Sequence, residues 1–334
     1  MRYEEIGRSG LKASVIGFGA WAIGGWTWGG ADEDQAIKAI QTALDYGINF
    51  FDTAPVYGFG RSEETLGKAL KGKREKVIIA TKCGLVWDRK GGELHFRSTE
   101  ETITDSGNIE VYKNLSPSSL RLEIEQSLRR LGTDYIDLYQ THWPDKLTPI
   151  EETMAELLRL KQEGKIRAIG VSNVTVEQLN AYQKAGPLDS DQEKFSLLDR
   201  EVRKTNLAWC SQHGVSFLAY SPLAQGLLTG KINLDREFPP GDLRSKKPRF
   251  LLENRARIIS FLGEIQPVAE THGLTYGQLA IAWVINSGRR LHALVGARNP
   301  QQVMENVAAA DVRLTADEMA AIEEALVRYA TGII

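Results

Sequence analysis

Four side chains of complementary acid–base character close short apolar runs in this sequence. Asp52 and Tyr57 lie in DTAPVYG (52–58), Lys82 ends VIIATK (77–82), and His142 falls in DLYQTHWP (137–144). A carboxylate, a phenol, an ammonium and an imidazole together suit delivery of a proton to a carbonyl oxygen. A free tyrosine, with a pKa near ~10, is a poor acid at neutral pH. A nearby Lys82 ammonium stabilises the phenolate and lowers that value, Asp52 holds Lys82 charged and in place, and His142 donates to the same oxygen. None of these groups supplies electrons, so a reduction here draws its hydride from a cofactor. Taken singly, each has a plainer role: a strand-end cap, a solvated lysine, a core histidine. Their arrival on one face, in order, is what points to chemistry.

The elements that must bring them together are read from the hydrophobic pattern. Strand-like runs fall at Val15–Gly19, Asn49–Asp52, Val77–Lys82, Ile136–His142, Ile166–Ser172, weakly at Leu188–Gln192, then Val215–Tyr220 and Ala293–Gly296. Helical patterns lie between them at Asp32–Tyr46, Ser62–Leu70, Pro117–Leu131, Pro149–Glu163, Thr175–Gln183, Thr205–His213 and Thr275–Ser287. This alternation predicts a parallel sheet with right-handed crossovers, and eight strands predict a closed (β/α)8 TIM barrel. The same reading places a β-hairpin at Tyr3–Ile6 and Leu11–Ser14, and long loops at 84–115 after strand three and 226–254 after strand seven. It also places an extra C-terminal helix at Leu314–Val327, begun by a Thr315/Glu318 capping box. A single barrel domain over residues 1–334 is therefore expected, although length alone suggests about two domains. Active sites of such barrels lie at the C-terminal ends of the strands, where the four residues stand.

Composition narrows the partners. With 41 Lys+Arg against 43 Asp+Glu, the chain of 334 residues has a net charge of −2, with neither the basic excess nor the basic block of a nucleic-acid binder. Two distant cysteines, Cys83 and Cys210, exclude a disulfide framework and a multi-cysteine zinc site, and the five histidines are scattered. The start, MRYEEIGRSG, lacks the apolar run of a signal peptide. The uncharged stretch Ala13–Ala31 carries six glycines and breaks into a strand and an aromatic loop, so no membrane span is expected. A cytoplasmic protein without membrane or nucleic-acid partners is the expectation; the oligomeric state is not legible. A two-carboxylate hydrolase would need a second strand-end acid beside Asp52.

With these residues in view, the sequence resembles the aldo-keto reductase family over almost its whole length. The matching segments are GFGAW (17–21), DTAPVYG (52–58), ATK (80–82), DLYQTHWP (137–144), IRAIGVSN (166–173), AYSPLAQGLLTGK (219–231) and GARNPQQVMEN (296–306). The resemblance implies a barrel that binds NADPH without a Rossmann domain. It transfers Asp52, Tyr57, Lys82 and His142 as the catalytic tetrad, with Tyr57 as the acid. GFGAWA also fits the dinucleotide fingerprint G-x-G-x-x-A, but the glycine- and tryptophan-rich residues 23–30 that follow cannot start the required helix.

Cofactor contacts are expected from the later strand ends. Ser172, Asn173 and Gln192 offer hydroxyl and amide groups that can bracket a nicotinamide carboxamide, a role the resemblance assigns them. Tyr220 is placed to stack on the nicotinamide, with Ser221, Leu223, Gln225 and Gly226 following it. Gly296 and Arg298 lead into a helix with Asn299 as N-cap and Pro300 at its first position, leaving N–H groups for a phosphate. Arg298, Gln302, Glu305 and Asn306 are assigned to the adenosine end, with Lys231 and Arg244 on the pyrophosphate. Many family members carry a lysine where Gly296 stands and an arginine where Gln302 stands. The form found here is similar to the bacterial and potassium-channel β-subunit branches. NADP is favoured over NAD because Arg298 can meet a 2′-phosphate.

Three of the seven tryptophans, Trp21, Trp26 and Trp28, crowd the loop after strand one, and Trp143 follows His142. Trp21 and Trp143 match family positions that line the pocket. The resemblance implies NADP-dependent reduction of small aldehydes or ketones, sugar-derived or hydroxylated ones included, with polyol oxidation in reverse. The alternative is a non-catalytic or weakly catalytic NADP-binding regulatory subunit.

Overall fold

A computed structural model of the chain describes residues 1–26, 28–98, 109–239 and 242–333. Eight parallel strands close into a barrel: β1 (Ile16–Gly19), β2 (Phe50–Asp52), β3 (Ile78–Cys83), β4 (Ile136–Thr141), β5 (Ile166–Ser172), β6 (Ser190–Lys194), β7 (Ser216–Tyr220) and β8 (Leu291–Gly296). Each pairs in parallel with its sequence neighbours, and β8 closes on β1 with Val295 opposite Phe18. The helices that return the chain are α1 (Glu33–Asp45), α2 (Arg61–Ala69), α3 (Pro117–Leu131), α4 (Ile150–Gln162), α5 (Val176–Ala185), α6 (Asn206–His213), α7 (Tyr276–Asn286) and α8 (Pro300–Val307). Among the described residues no helix is long and apolar enough to cross a membrane.

The period-2 strand pattern divides the core into two layers. Phe50, Ala80, Leu138, Ala168, Leu218 and Leu294 point inward and fill the barrel, while Phe51, Ile79, Tyr139, Ile169 and Phe217 point outward under the helices. Ile6, Leu11 and Ala13 belong to the inner layer, because the hairpin Tyr3–Glu5/Lys12–Ser14 covers the barrel at the end away from the site. Gly7 in its turn has φ +55°, and a Cβ there would meet the Asp189 carbonyl oxygen at 2.4 Å, so only glycine lets the hairpin seat this closely.

Helix boundaries follow the caps in the sequence. Ser116 caps α3, Pro117 opens it and Gly132 ends it in the left-handed region. Capping boxes begin α5 (Thr175/Gln178), α7 (Thr275/Gln278) and the terminal helix Ala316–Ala325 (Thr315/Glu318).

Three segments differ from the sequence expectation. The sixth strand begins at Ser190, not Leu188, and extends to Lys194; its residues SDQEK carry no apolar run because buried polar partners stabilise it. The segment 84–115 is not a plain loop. Leu85–Val86, Glu93–Ser98 and Ile109–Lys113 form a three-stranded antiparallel sheet, and residues 99–108 lie outside the described residues. Its residues Leu85, Phe96, Ile109 and Val111 pack beside Ala54, Val56 and Trp143, so a long-range partner makes a strand where local periodicity shows none. The segment after β7 carries short 3-10 turns at Leu243–Lys246 and Pro248–Phe250, then helices Leu252–Glu264 and Gln266–Thr271. Residues 240–241 of that segment lie outside the described residues.

Candidate active site

The barrel brings Asp52, Tyr57, Lys82 and His142 together at the C-terminal ends of β2, β3 and β4. Lys82 is fully buried; its Nζ donates to Asp52 Oδ1 at 2.7 Å and to the Thr53 carbonyl at 2.8 Å, and lies 3.4 Å from the Tyr57 hydroxyl. The His142 ring stands edge-on to the Tyr57 ring, with centroids 5.8 Å apart. Tyr57 is fixed by backbone contact. Gly58, at φ +65°, and Gly24 touch so closely that a Cβ on Gly24 would stand 2.7 Å from the Tyr57 carbonyl carbon. The glycines of the loop after β1, unreadable as a helix start, thus serve to let it close on the turn that carries Tyr57.

Asp52 is saturated from the barrel interior. Gln192 Nε2 donates to its Oδ2 at 2.8 Å and Gln140 Nε2 at 3.2 Å, while Gln140 Oε1 accepts from Gln192 Nε2 at 3.3 Å. Gln140 was not singled out in the sequence; the inward-facing polar residue within an otherwise apolar β4 run is the signal that marks it.

The electrostatics depart from the expected lowering of the phenol. Burial, with Asp52 second, pushes Tyr57 well above the ordinary 10. Lys82 sits near the phenol, but its charge is balanced by Asp52 0.7 Å closer (2.7 against 3.4 Å), so the attraction expected for phenolate is largely spent. Burial also pulls Lys82 below the usual lysine value against the pull of Asp52. His142 is driven well below 6.5 by burial and by Lys82 and His95, so it is a neutral imidazole at neutral pH. The site therefore holds a protonated phenol and a neutral imidazole, both able to donate hydrogen bonds.

Asp52 and Tyr57 reach a cavity of about 450 Å³ whose wall includes Trp21, Trp28, Tyr220, Ser221, Leu223, Gln225 and Gly226. Lys231, Arg236, Arg244, Gly296, Arg298, Gln302, Glu305 and Asn306 line its far end. Of the residues expected around the nicotinamide, Tyr220 lies on this wall, half-buried Asn173 is joined to it by a hydrogen bond, and Ser172 and Gln192 are buried beside Asn173. Ser172 Oγ donates to the Gln192 carbonyl at 2.7 Å, and Asn173 Nδ2 donates to the His142 carbonyl and to Ser172 Oγ, both at 3.0 Å. Tyr220 hydroxyl donates to Asn173 Oδ1 at 2.9 Å. Trp143 is away from the cavity wall, packed on His95 with centroids 5.2 Å apart, whereas Trp21 lies on it, 6.2 Å from the Tyr57 ring. Trp26 stacks on Phe96 of the three-stranded sheet at 5.4 Å, extending an aromatic wall that only the tertiary fold assembles.

The cations of the far end are mostly committed. Lys231 pairs with Glu305 at 2.7 Å and Arg244 with Asp242 at 2.6 Å, while Arg244 also lies over the Trp28 ring. Arg298 donates to the carbonyls of Trp28 and Gly30 and makes no direct ion pair among the described residues, acting on Asp242 only at longer range. Asn299 caps α8 as expected, accepting from the Gln302 N–H at 3.0 Å. Because Pro300 has no N–H and Gln302 is capped, this terminus offers fewer free donors than the sequence suggests.

A sequence profile of the Aldo/keto reductase family matches residues 15–327. The chain belongs to that family. As a member, it binds a nicotinamide cofactor and carries out aldo-keto reductase carbonyl chemistry. It is 44% identical over 321 residues to the NADH-specific methylglyoxal reductase of Escherichia coli (strain K12), covering 94% of this chain and 95% of that protein. It is 41% identical over 306 residues to the aldo-keto reductase YhdN of Bacillus subtilis (strain 168), covering 91% and 87%. Among solved structures it is similar to the glycerol dehydrogenase AKR11B4 from Gluconobacter oxydans. That likeness has a TM-score of 0.87 at 41% identity and covers 99% of this chain and 97% of that one.

Proposed function

We propose that this aldo/keto reductase uses NADPH to reduce short, hydroxylated or α-oxo aldehydes and ketones, and oxidises the matching polyols in reverse, with Tyr57 as the general acid. The observation that carries the reading is the Lys82 ammonium held between Asp52 and the Tyr57 hydroxyl beneath one cavity. Trp28 gives an independent sign of fit for a dinucleotide: it lines the cavity, and its buried indole N–H has no acceptor among the described residues. A buried donor calls for a partner, and ribose or phosphate oxygens are acceptors. Lys231, Arg236, Arg244 and Arg298 supply positive charge at the same end.

When bound, the cofactor supplies the hydride. Tyr57 gives its proton to the carbonyl oxygen as charge develops there, and the neutral His142 donates a hydrogen bond to the same oxygen. Lys82 Nζ, 3.4 Å from the phenol oxygen, is the donor that can follow the phenolate that remains, and Asp52, held by Gln140 and Gln192, keeps Lys82 in place. Tyr220, Ser172, Asn173 and Gln192 orient the nicotinamide end. Trp21 and the aromatic wall exclude water from the reacting carbon.

Arg298 supports the preference for NADPH, being a half-buried arginine of the far end that makes no direct ion pair with a carboxylate of the described residues. The substrate class draws on the names of the relatives, which specify methylglyoxal and glycerol, and on an apolar, aromatic wall that suits a small ligand. The test is oxidation of NADPH and of NADH by the full chain across methylglyoxal, glyceraldehyde, longer aldoses and simple ketones. Turnover faster with NADPH on the three-carbon carbonyls supports the reading. Binding of cofactor without turnover on any carbonyl would instead favour a regulatory subunit.

A further inference from the structure

Strand β6 points two carboxyl groups away from the barrel interior, where the proposed reaction has no use for them. Asp191 and Glu193 are both buried, on the face opposite Ser190 and Gln192. The two carboxyls act on each other's titration, and a proton on either removes the repulsion between them. Asp191 Oδ1 has no donor among the described residues, and its Oδ2 accepts from Asn206 Nδ2 at 3.0 Å. An ionised pair here would leave two charges buried side by side, which is costly. Burial raises both above the ordinary carboxylate range and so keeps that proton at neutral pH.

What the pair grips is the backbone just past β5. Glu193 Oε1 accepts from the Val174 N–H at 2.8 Å, and the same Asn206 amide that binds Asp191 donates to the Val174 carbonyl at 2.9 Å. Both polar groups of Val174 are thus held in one circuit through Asp191, Asn206 and Glu193. The residue immediately before it, Asn173, has a left-handed backbone with φ +58°, and it is this conformation that aims its side chain at the His142 carbonyl and the Tyr220 hydroxyl.

We infer that Glu193, together with the Asp191–Asn206 link, is a positioning residue for the nicotinamide end of the site, setting Asn173 by clamping the Val174 peptide. The inference rests on the reading that Asn173 meets the cofactor. Glu193 itself touches neither cofactor nor substrate. Loss of the pair's proton at alkaline pH sets two buried carboxylates against each other and loosens the clamp. The other titratable groups facing the pair are Cys210 on α6, 3.9 Å from Asp191 Oδ2, and Tyr220 on β7; both are raised by burial, and β5 contributes only backbone.

The test measures NADPH binding by fluorescence titration of the full chain, independent of turnover. Glu193→Ala weakens binding about tenfold, the scale of one lost buried hydrogen bond, and Glu193→Gln restores it to within about twofold because an amide can accept from Val174 and donate to Asp191. Wild-type affinity falls on raising the pH, while Glu193→Gln and Asp191→Asn, in which no second carboxylate can form beside the first, stay flat. Should Glu193→Ala fail to fold, the pH comparison of wild type with the two amide variants decides. Undiminished binding by Glu193→Ala, a Gln variant no better than Ala, or a flat wild-type profile overturns the inference. A wild-type chain that binds neither NADPH nor NADH overturns the underlying cofactor reading at the first step.

Discussion

The Lys82 ammonium lies 3.4 Å from the Tyr57 hydroxyl, yet the phenol it approaches is harder to ionise than a free tyrosine. Lys82 is engaged with Asp52, and the apolar surroundings penalise phenolate more than the balanced ion pair favours it. The phenol is thus kept loaded with its proton until negative charge appears on a substrate oxygen. Replacing it, Tyr57→Phe, should leave cofactor binding intact and lower kcat by roughly 10²–10⁴-fold, the range for loss of a general acid. Titration of cofactor together with single-turnover reduction checks both halves.

The pH profile of reduction follows from the directions of the two shifts. His142 is already neutral well below pH 6.5, so no acid limb attributable to it should appear between pH 6 and 7. Tyr57 loses its proton only well above 10, so its limb lies on the alkaline side. Because Asp52 contributes to raising Tyr57, Asp52→Asn should move that limb toward lower pH. A limb that moves up, or does not move, contradicts the assignment.

Glu123 on α3 anchors the start of the three-stranded sheet, accepting from the Gly84 N–H at 2.8 Å and from Ser119 Oγ at 2.8 Å. Burial outweighs these bonds and raises it from 4.5 to about 7. A carboxyl raised on folding holds its proton better in the native state, so its contribution is full below pH 4.5 and is lost as pH rises through about 7. Glu123→Gln should therefore gain stability relative to wild type as pH rises across that window, by about 1.4 kcal/mol per pH unit at most. Denaturant unfolding at pH 5 and pH 8 gives the sign directly.

Arg298 carries the expected preference between the two cofactors. Its removal by Arg298→Ala should weaken NADPH binding about 10- to 100-fold, as for loss of a charged hydrogen bond, and change NADH binding little. Binding constants for both cofactors, measured on both proteins at one ionic strength, decide it. Equal loss for the two would assign Arg298 to holding the Trp28–Gly30 backbone alone.

Gly24→Ala, at a buried position, should be more damaging than the size of one methyl group suggests. The added methyl would stand 2.7 Å from the Tyr57 carbonyl carbon and 2.8 Å from its oxygen, so the turn carrying the acid must shift. A stability loss of about 1–3 kcal/mol with a disproportionate fall in kcat is the expected result, read from thermal unfolding beside turnover.

The sequence by itself determined the barrel and its catalytic rim, because each strand and helix carries its own periodicity and its own caps. Asp52, Tyr57, Lys82 and His142 were legible because they end or closely follow three successive strands, and β/α alternation forces those ends to one side. The cap at Asn299 was legible for the same local reason. What only the tertiary structure decided depends on partners distant in sequence. The strand β6 was faint because its stability comes from Gln140, Asn206, Asp52 and Val174 instead of from apolar spacing. The sheet built from residues 85–113 appears only when its strands pair, and with it the wall formed by Trp26 and Phe96. The direction of the Tyr57 shift was also beyond local reading: spacing shows that a lysine can approach a phenol, but burial and the prior claim of Asp52 set which way the proton equilibrium moves.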